Sequence, residues 1–337
     1  MYIGGLVCLV VAAILIFQPF HGRGSERIRV VIAPRSSVGD IADTLDGQGV
    51  VLSGALFELR ATLSGQRSDL KPGVYTLRKG MSYSDALDAL VQGPPRNTVN
   101  LLLPEGLSRG EIAKLAGQAG VGGGYMAASV SSLLLRPSAY GAMGPNHTLE
   151  GFLFPATYEL KRRSSAKVLV DKQVVAFKRN FAQIDLSYAH RKNLTAYDVL
   201  TIASMIEREA QVDRERPLVA AVIYNRLKQG IQLGIDATTR FAVNNWSHPL
   251  TKSELASDSP YNTRNHAGLP PGPIGNPGLK SIQAAAKPAR VDYIYYVVKP
   301  GACGEHAFSS SAAQFAADQK RYEAAREVAG RSPTSCP

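Results

Sequence analysis

The sequence predicts an α+β chain: an apolar N-terminal segment, small α/β units, then a larger mixed α/β domain. Three observations carry this reading. Alternating, strand-like runs at residues 28–33 and 70–77 are each followed by a short amphipathic helical pattern. The first such pattern returns about 70 residues later, as a small unit used twice would do. Near the C-terminus, the β-prone run 292–298 is followed by a glycine-containing turn and a second strand at 305–309, which reads as a hairpin. A 337-residue chain has room for two or three domains, and 45% hydrophobic residues against 19% charged supports a real core.

Residues 1–17 are almost uninterruptedly apolar and are closed by Gln18 and Pro19, at the lower limit of length for a membrane-spanning helix. No basic stretch precedes the run and no small-residue cleavage site follows it, so residues 1–20 read as an uncleaved anchor rather than a signal peptide. Arg23, Arg27 and Arg29 follow it. By the positive-inside rule they argue for a cytoplasmic C-terminal part, although large folded domains translocate largely regardless of a few flanking charges.

A first α/β unit is expected over 27–95. It starts with the strand 28–33 and a turn at Pro34, where Ser36 or Ser37 caps a helix over 38–47 carrying Ile41, Ala42 and Leu45 at helical spacing. The strand 70–77 and a helix over 82–92 complete it. A second small unit and junction is expected over 96–145, with Pro104, Ile112, Ala113 and Gly120 repeating the earlier pattern and the glycines at 120 and 122–124 marking the junction. The main domain, 146–330, carries helical patterns over 165–184, 196–230 and 312–329 around the hairpin.

The net charge of +11 favours an anionic neighbour: nucleic acid, anionic lipid or an acidic cell-wall polymer. No aromatic-basic nucleic-acid motif accompanies it, which disfavours nucleic acid as a partner. No P-loop, dinucleotide fingerprint or metal-ligand spacing is present, so neither cofactor nor metal is expected. Cys303 and Cys336 are the one cysteine pair outside the apolar run; a disulfide and two free thiols both fit.

Glu207 and Glu209 lie among apolar residues on one predicted helix. A carboxylic acid in apolar surroundings resists ionisation and can act as a general acid, as glycosidic cleavage requires. On a helical projection Val199, Ile202, Ala203, Ile206 and Ala210 share a face, and the two glutamates flank it on opposite sides, each roughly 80° from its centre. They do not converge as a carboxylate pair, and periodicity leaves open which one is chemical. Asp236 could hold a sugar hydroxyl or simply cap a helix. Tyr261 and Asn262 could stack on and bond to a sugar or simply form a turn. The run 268–278 is too rich in Pro and Gly for regular structure and reads as a rigid loop shaping a cleft. His306 lies in a predicted strand, where a lone histidine is usually structural.

An ordered set of motifs then resembles one family. These are Lys71-Pro-Gly-Val-Tyr75, Leu103-Pro-Glu-Gly106, Glu150-Gly-Phe-Leu-Phe-Pro-Ala-Thr-Tyr158, Ala203-Ser-Met-Ile-Glu-Arg-Glu209 and Val222-Ile-Tyr-Asn-Arg-Leu227. They continue with Asp236-Ala-Thr238, Ser259-Pro-Tyr-Asn-Thr263, Gly268-Leu-Pro-Pro-Gly272, Asn276-Pro-Gly278 and His306-Ala-Phe308. Over about 28–325 the chain resembles the YceG-like family, the MltG-type endolytic murein transglycosylases. Gly234 and Ala237 depart from the commoner pattern, where glutamine and proline are frequent.

The resemblance implies a LysM-like first module and a catalytic domain, anchored in the inner membrane through residues 1–18 and working on its extracytoplasmic side. It implies cleavage of peptidoglycan glycan strands between N-acetylmuramic acid and N-acetylglucosamine without water, leaving 1,6-anhydro ends, with the cell-wall synthesis machinery as a further partner. It points to Glu207 as the single acid-then-base, and Glu150, Asp236, Thr238, Tyr261, Asn262 and Asn276 are expected to place substrate. A membrane-tethered peptidoglycan-binding protein without catalysis is the alternative.

Overall fold

The computed structural model describes residues 26–94, 97–144 and 147–330. The expected anchor and Cys336 lie outside them. Among the described residues no helix is long and apolar enough to cross a membrane. The chain divides into two compact units at Asn97/Thr98.

The first unit runs β1 (Arg27–Ile32), α1 (Val38–Gly47), α2 (Gly54–Leu63), β2 (Gly73–Arg78), α3 (Tyr83–Gln92). β1 and β2 pair antiparallel, from Arg27 opposite Arg78 to Ile32 opposite Gly73. Alternate residues Val30, Ile32, Tyr75 and Leu77 face inward and meet Ile41, Leu45, Phe57, Leu87 and Leu90. Ser37 starts α1 with a reciprocal capping box: its hydroxyl accepts from the Asp40 N–H, and Asp40 accepts from the Ser37 N–H at 2.8 Å. The sequence pattern did not show α2. Its apolar residues are spread around the helix rather than in one stripe, and its packing against α1 depends on Gly54, where a Cβ would press on the Ala42 carbonyl at 2.9 Å.

The second unit contains β3 (Thr98–Leu102), α4 (Arg109–Gln118), β4 (Thr157–Lys161), α5 (Ala166–Phe181), α6 (Ala196–Glu209), α7 (Arg216–Gln229) and α8 (Asp236–Val243). It ends with α9 (Leu279–Ala286), the hairpin β5 (Tyr295–Val298) and β6 (His306–Ser309), and α10 (Ala312–Ala329). β3 pairs antiparallel with β4, so the segment expected as a separate unit over 96–145 is woven into the larger one. The cause is a strand pairing across about 60 residues of chain, which no local pattern announces.

α6 forms the centre. Val199, Leu200, Thr201, Ile202, Ala203, Ser204, Met205 and Ile206 are all buried, so the helix is covered on every side rather than on one face. It packs against α7, α8 and α9. The helical pattern over 196–230 is two helices: α6 ends before Ala210, whose backbone turns extended, and α7 starts with Pro217 in its first turn. Beside α6, Tyr140, Phe152, Phe177 and Phe181 pack ring to ring, with centroids 5.0–5.6 Å apart. Cys303, in the turn of the β5–β6 hairpin, is disulfide-bonded.

Candidate active site

The last turn of α6 sends three consecutive charged side chains in three directions, because helical neighbours diverge by about 100°. Glu207 points toward the start of α9. Its Oε1 is 3.1 Å from the Arg216 guanidinium and its Oε2 accepts the Gly278 N–H at 2.8 Å. The side chain is 5% exposed. Arg208 lies over the Trp246 ring, 3.7 Å from the centroid, and pairs with Glu111.

Glu209 points toward the hairpin. Its Oε2 accepts the Tyr296 hydroxyl at 2.9 Å. The residue is half-buried, and burial pushes its carboxyl above the usual glutamate range; the Asp236 charge pushes the same way. The Tyr296 hydrogen bond, His306 and Arg264 act in the opposite direction but do not cancel the burial effect. Burial and the neighbouring Glu209 hold the Tyr296 phenol well above its ordinary value, so it stays a proton donor.

Behind Tyr296 stands His306, edge-on with ring centroids 5.3 Å apart. Glu215 holds this histidine twice: one oxygen accepts its backbone N–H at 2.9 Å and the other lies 2.8 Å from Nδ1. Glu209, Tyr296, His306 and Glu215 therefore form one connected row.

The expected substrate residues separate into two sets. Four are hydrogen-bonded within the scaffold. Glu150 is buried, accepts the Arg109 N–H at 3.1 and 3.0 Å with its two oxygens, and receives Asn276 Nδ2 at 2.9 Å. Its carboxylate thus sits at the N-terminus of α4, where the helix dipole favours an anion. Burial nonetheless pushes its pKa up to about 7. Asn276 accepts the Leu153 N–H at 2.9 Å and donates to the Leu107 carbonyl at 2.8 Å, so both of its amide hydrogens are used within the protein. Asn262 bonds the Leu255 and Ser257 carbonyls and receives the Thr239 hydroxyl. Thr238 is buried, donating to the Ile235 carbonyl and meeting Thr263 at 2.9 Å.

Asp236 and Tyr261 remain accessible. Asp236 is exposed and bound through Oδ1 by Arg264, whose Nε lies 2.8 Å away. The Tyr261 ring packs on Phe241 at 5.0 Å, while its hydroxyl makes no hydrogen bond among the described residues.

The Pro- and Gly-rich run is a rigid loop, as expected, and its glycines have a reason. The backbone of Asn276 exchanges hydrogen bonds with Gly106 and Leu107 at 2.8 and 2.9 Å. A Cβ on Gly275 would land on the Gly106 carbonyl, and one on Gly278 would land on the Glu105 carboxylate. Tyr296, Arg264, Arg216 and Glu215 escaped the sequence reading, because each gains its role only through a partner 9 to 91 positions away.

Comparison with known proteins agrees with this architecture. Residues 30–321 match the YceG-like family. Over 309 residues, 83% of this chain, it is 30% identical to an endolytic murein transglycosylase of Streptococcus pneumoniae R6. The chain spans about half the length of that relative, 55%. An endolytic murein transglycosylase of Bacillus subtilis is 27% identical over 322 residues, covering 91% of this chain and 88% of the relative. The crystal structure of a YceG-like protein from Listeria monocytogenes superposes with a TM-score of 0.54 at 29% identity, covering 86% of this chain and 98% of the other. With the match running from β1 through α10, this chain is a member of the YceG-like family.

Proposed function

We propose that this chain is an endolytic murein transglycosylase in which Glu209, rather than Glu207, is the acid and then the base. The observation that carries this assignment is the contrast between the two carboxyls. Glu207 has one oxygen on Arg216 and the other on the Gly278 N–H, and its side chain is 5% exposed. A carboxylate ion-paired in this way has no free oxygen to offer a substrate and braces α6 against α7 and α9. Glu209 is half-buried, its carboxyl raised by burial, and among the described residues only its Oε2 has a hydrogen-bond partner. A carboxyl that keeps its proton nearer neutral pH is what protonation of a leaving sugar oxygen needs.

In the proposed reaction, Oε1 of protonated Glu209 donates to the oxygen joining N-acetylmuramic acid to N-acetylglucosamine. The C1–O bond breaks and the positive charge develops at C1 and the ring oxygen. The carboxylate then takes the proton of the muramoyl C6 hydroxyl as O6 closes on C1. Glu209 returns to its starting state, water is not consumed, and the product carries a 1,6-anhydro end. Tyr296 donates into Oε2 and so keeps the transferable proton on Oε1. Asp236 is committed to Arg264 and serves placement rather than proton transfer. Tyr261, whose hydroxyl makes no hydrogen bond among the described residues, is the second placement residue.

The names of the relatives, the motif order and the βααβ arrangement that opens the first unit, before α3, support the wider reading. In it, the first unit is a LysM-like module, residues 1–18 anchor the chain in the inner membrane, and the second unit acts outside the cytoplasm beside the cell-wall synthesis machinery. The test is mass spectrometry of peptidoglycan fragments after incubation with the full chain, Glu209→Gln and Glu207→Gln. Anhydro-muramoyl ends from wild type and Glu207→Gln alone support the assignment. Loss only in Glu207→Gln would return the acid to Glu207, and no new ends from any protein would leave a binding protein.

A further inference from the structure

A second concave surface of the catalytic unit lies apart from Glu209. Three adjoining hollows of about 620, 510 and 580 Å³ share Tyr188 on their walls, a size range that suits a ligand of a few residues or sugars. Five cations line them: Arg191, Lys192, Lys228, Lys287 and Arg290. All five are exposed, and none forms an ion pair among the described residues. Only two carboxylates, Asp185 and Asp292, line the same hollows.

At the centre, Arg191 and Lys192 stand 5.9 and 5.8 Å from the centroid of the half-buried Tyr188 ring. Tyr188 is itself held edge-on by Tyr224 at 5.3 Å, and its hydroxyl makes no hydrogen bond among the described residues. An aromatic surface ringed by five cations against two carboxylates carries a net positive charge and selects a ligand with several carboxylates and some apolar surface. The wall formed by Asn225 and Tyr293 leads to the active carboxyl. Asn225 Nδ2 binds the Val291 and Tyr293 carbonyls at 2.9 and 2.8 Å, and three residues further along lies Tyr296, on Glu209. Three residues of extended chain span on the order of 10 Å.

We infer that this groove binds the carboxylate-bearing stem peptides of the glycan strand while Glu209 acts on the sugar backbone. The inference rests on the proposed transglycosylase reading for its ligand. It assigns the basic surface to substrate selection: strands carrying peptides are held, and bare strands are not.

The test uses the full chain, with a fluorescein-labelled synthetic stem pentapeptide followed by anisotropy. Lys192→Glu and Arg290→Glu change exposed side chains that make no hydrogen bond or ion pair among the described residues, so the fold and melting temperature should hold. The peptide should bind wild type and weaken roughly five- to ten-fold in the double variant, with binding falling as salt rises. In parallel, KM for peptide-bearing strands should rise by a similar factor, with kcat and all activity on amidase-stripped strands unchanged. Equal peptide binding by both proteins, or an equal loss on stripped strands, overturns the inference. Because anisotropy needs no turnover, an absence of anhydro ends would count against the transglycosylase reading without deciding the groove.

Discussion

The Tyr296 hydroxyl donates to Oε2 of Glu209 across 2.9 Å, linking the end of the central helix to the first strand of the C-terminal hairpin. The bond joins residues 87 positions apart. It makes the two oxygens of one carboxyl unequal: one accepts from Tyr296, and the other is the one that the proposed reaction uses. His306 and Glu215 fix the tyrosine from behind, so α7, which follows Glu215, and both strands of the hairpin contribute to placing a single proton.

Replacing Tyr296 by Phe should lower kcat about ten-fold, since a hydrogen bond to a charged acceptor contributes about 1.5–3 kcal/mol. This bond stabilises the carboxylate form, so its loss raises the Glu209 pKa further. The high-pH limb of the kcat profile, where the acid loses its proton, should therefore move to higher pH. An unmoved limb would detach Tyr296 from the acid.

The two glutamates of α6 should fail differently. Glu209→Gln keeps the fold and lowers formation of anhydro ends by at least about a thousand-fold, judged against the general-acid contribution of 10²–10⁴. Glu207→Gln keeps turnover but weakens a buried ion pair, at a cost of about 1–3 kcal/mol in chemical denaturation. Inactivity in a fully stable Glu207→Gln protein would contradict the structural role.

Glu150 should make stability pH-dependent. The native carboxyl holds its proton up to about pH 7, whereas the unfolded one releases it near 4.5. Between these values the native state binds more protons, so its stability from this group falls as pH rises and levels off above about 7. The change is about 3 kcal/mol. Denaturation of wild type and Glu150→Gln across pH 4.5–7.5 isolates the effect: the difference between them should vary with pH in that window. A constant difference would show that the group does not titrate there.

The glycines of the rigid loop should differ in whether they can be rescued. Gly278→Ala meets the end of the Glu105 side chain, so it should destabilise by about 1–3 kcal/mol and recover when Glu105→Ala is added. Gly275→Ala meets the Gly106 backbone carbonyl, which cannot swing away, and no side-chain deletion should restore it. Melting temperatures of the single and double variants decide both cases.

Elements whose stripe or alternation is local were legible from residues alone. The Ser37-capped helix at 38–47, the strand pair of the first unit and the C-terminal hairpin and helix are examples. α6 was legible as a helix but not as the centre of the unit, because a helix covered on all sides has no single stripe to read. Asn262, Thr238, Asn276 and Glu150 stand in the motifs that carry the family resemblance, which is why they were expected to place substrate. Their hydrogen bonds to backbone groups up to 169 positions away, which hold the loops in place, were not legible in those motifs.

The amino-acid sequence by itself determined the α+β class, the ordered motifs and the short acidic segment that carries both candidate carboxyls. Only the tertiary structure distinguished Glu207 from Glu209, two residues with nearly identical local surroundings. The distinction is electrostatic. Arg216 and the Gly278 N–H converge on one carboxyl, while burial and a single phenol surround the other, and those partners are brought together only when α6 packs against α7, α9 and the hairpin.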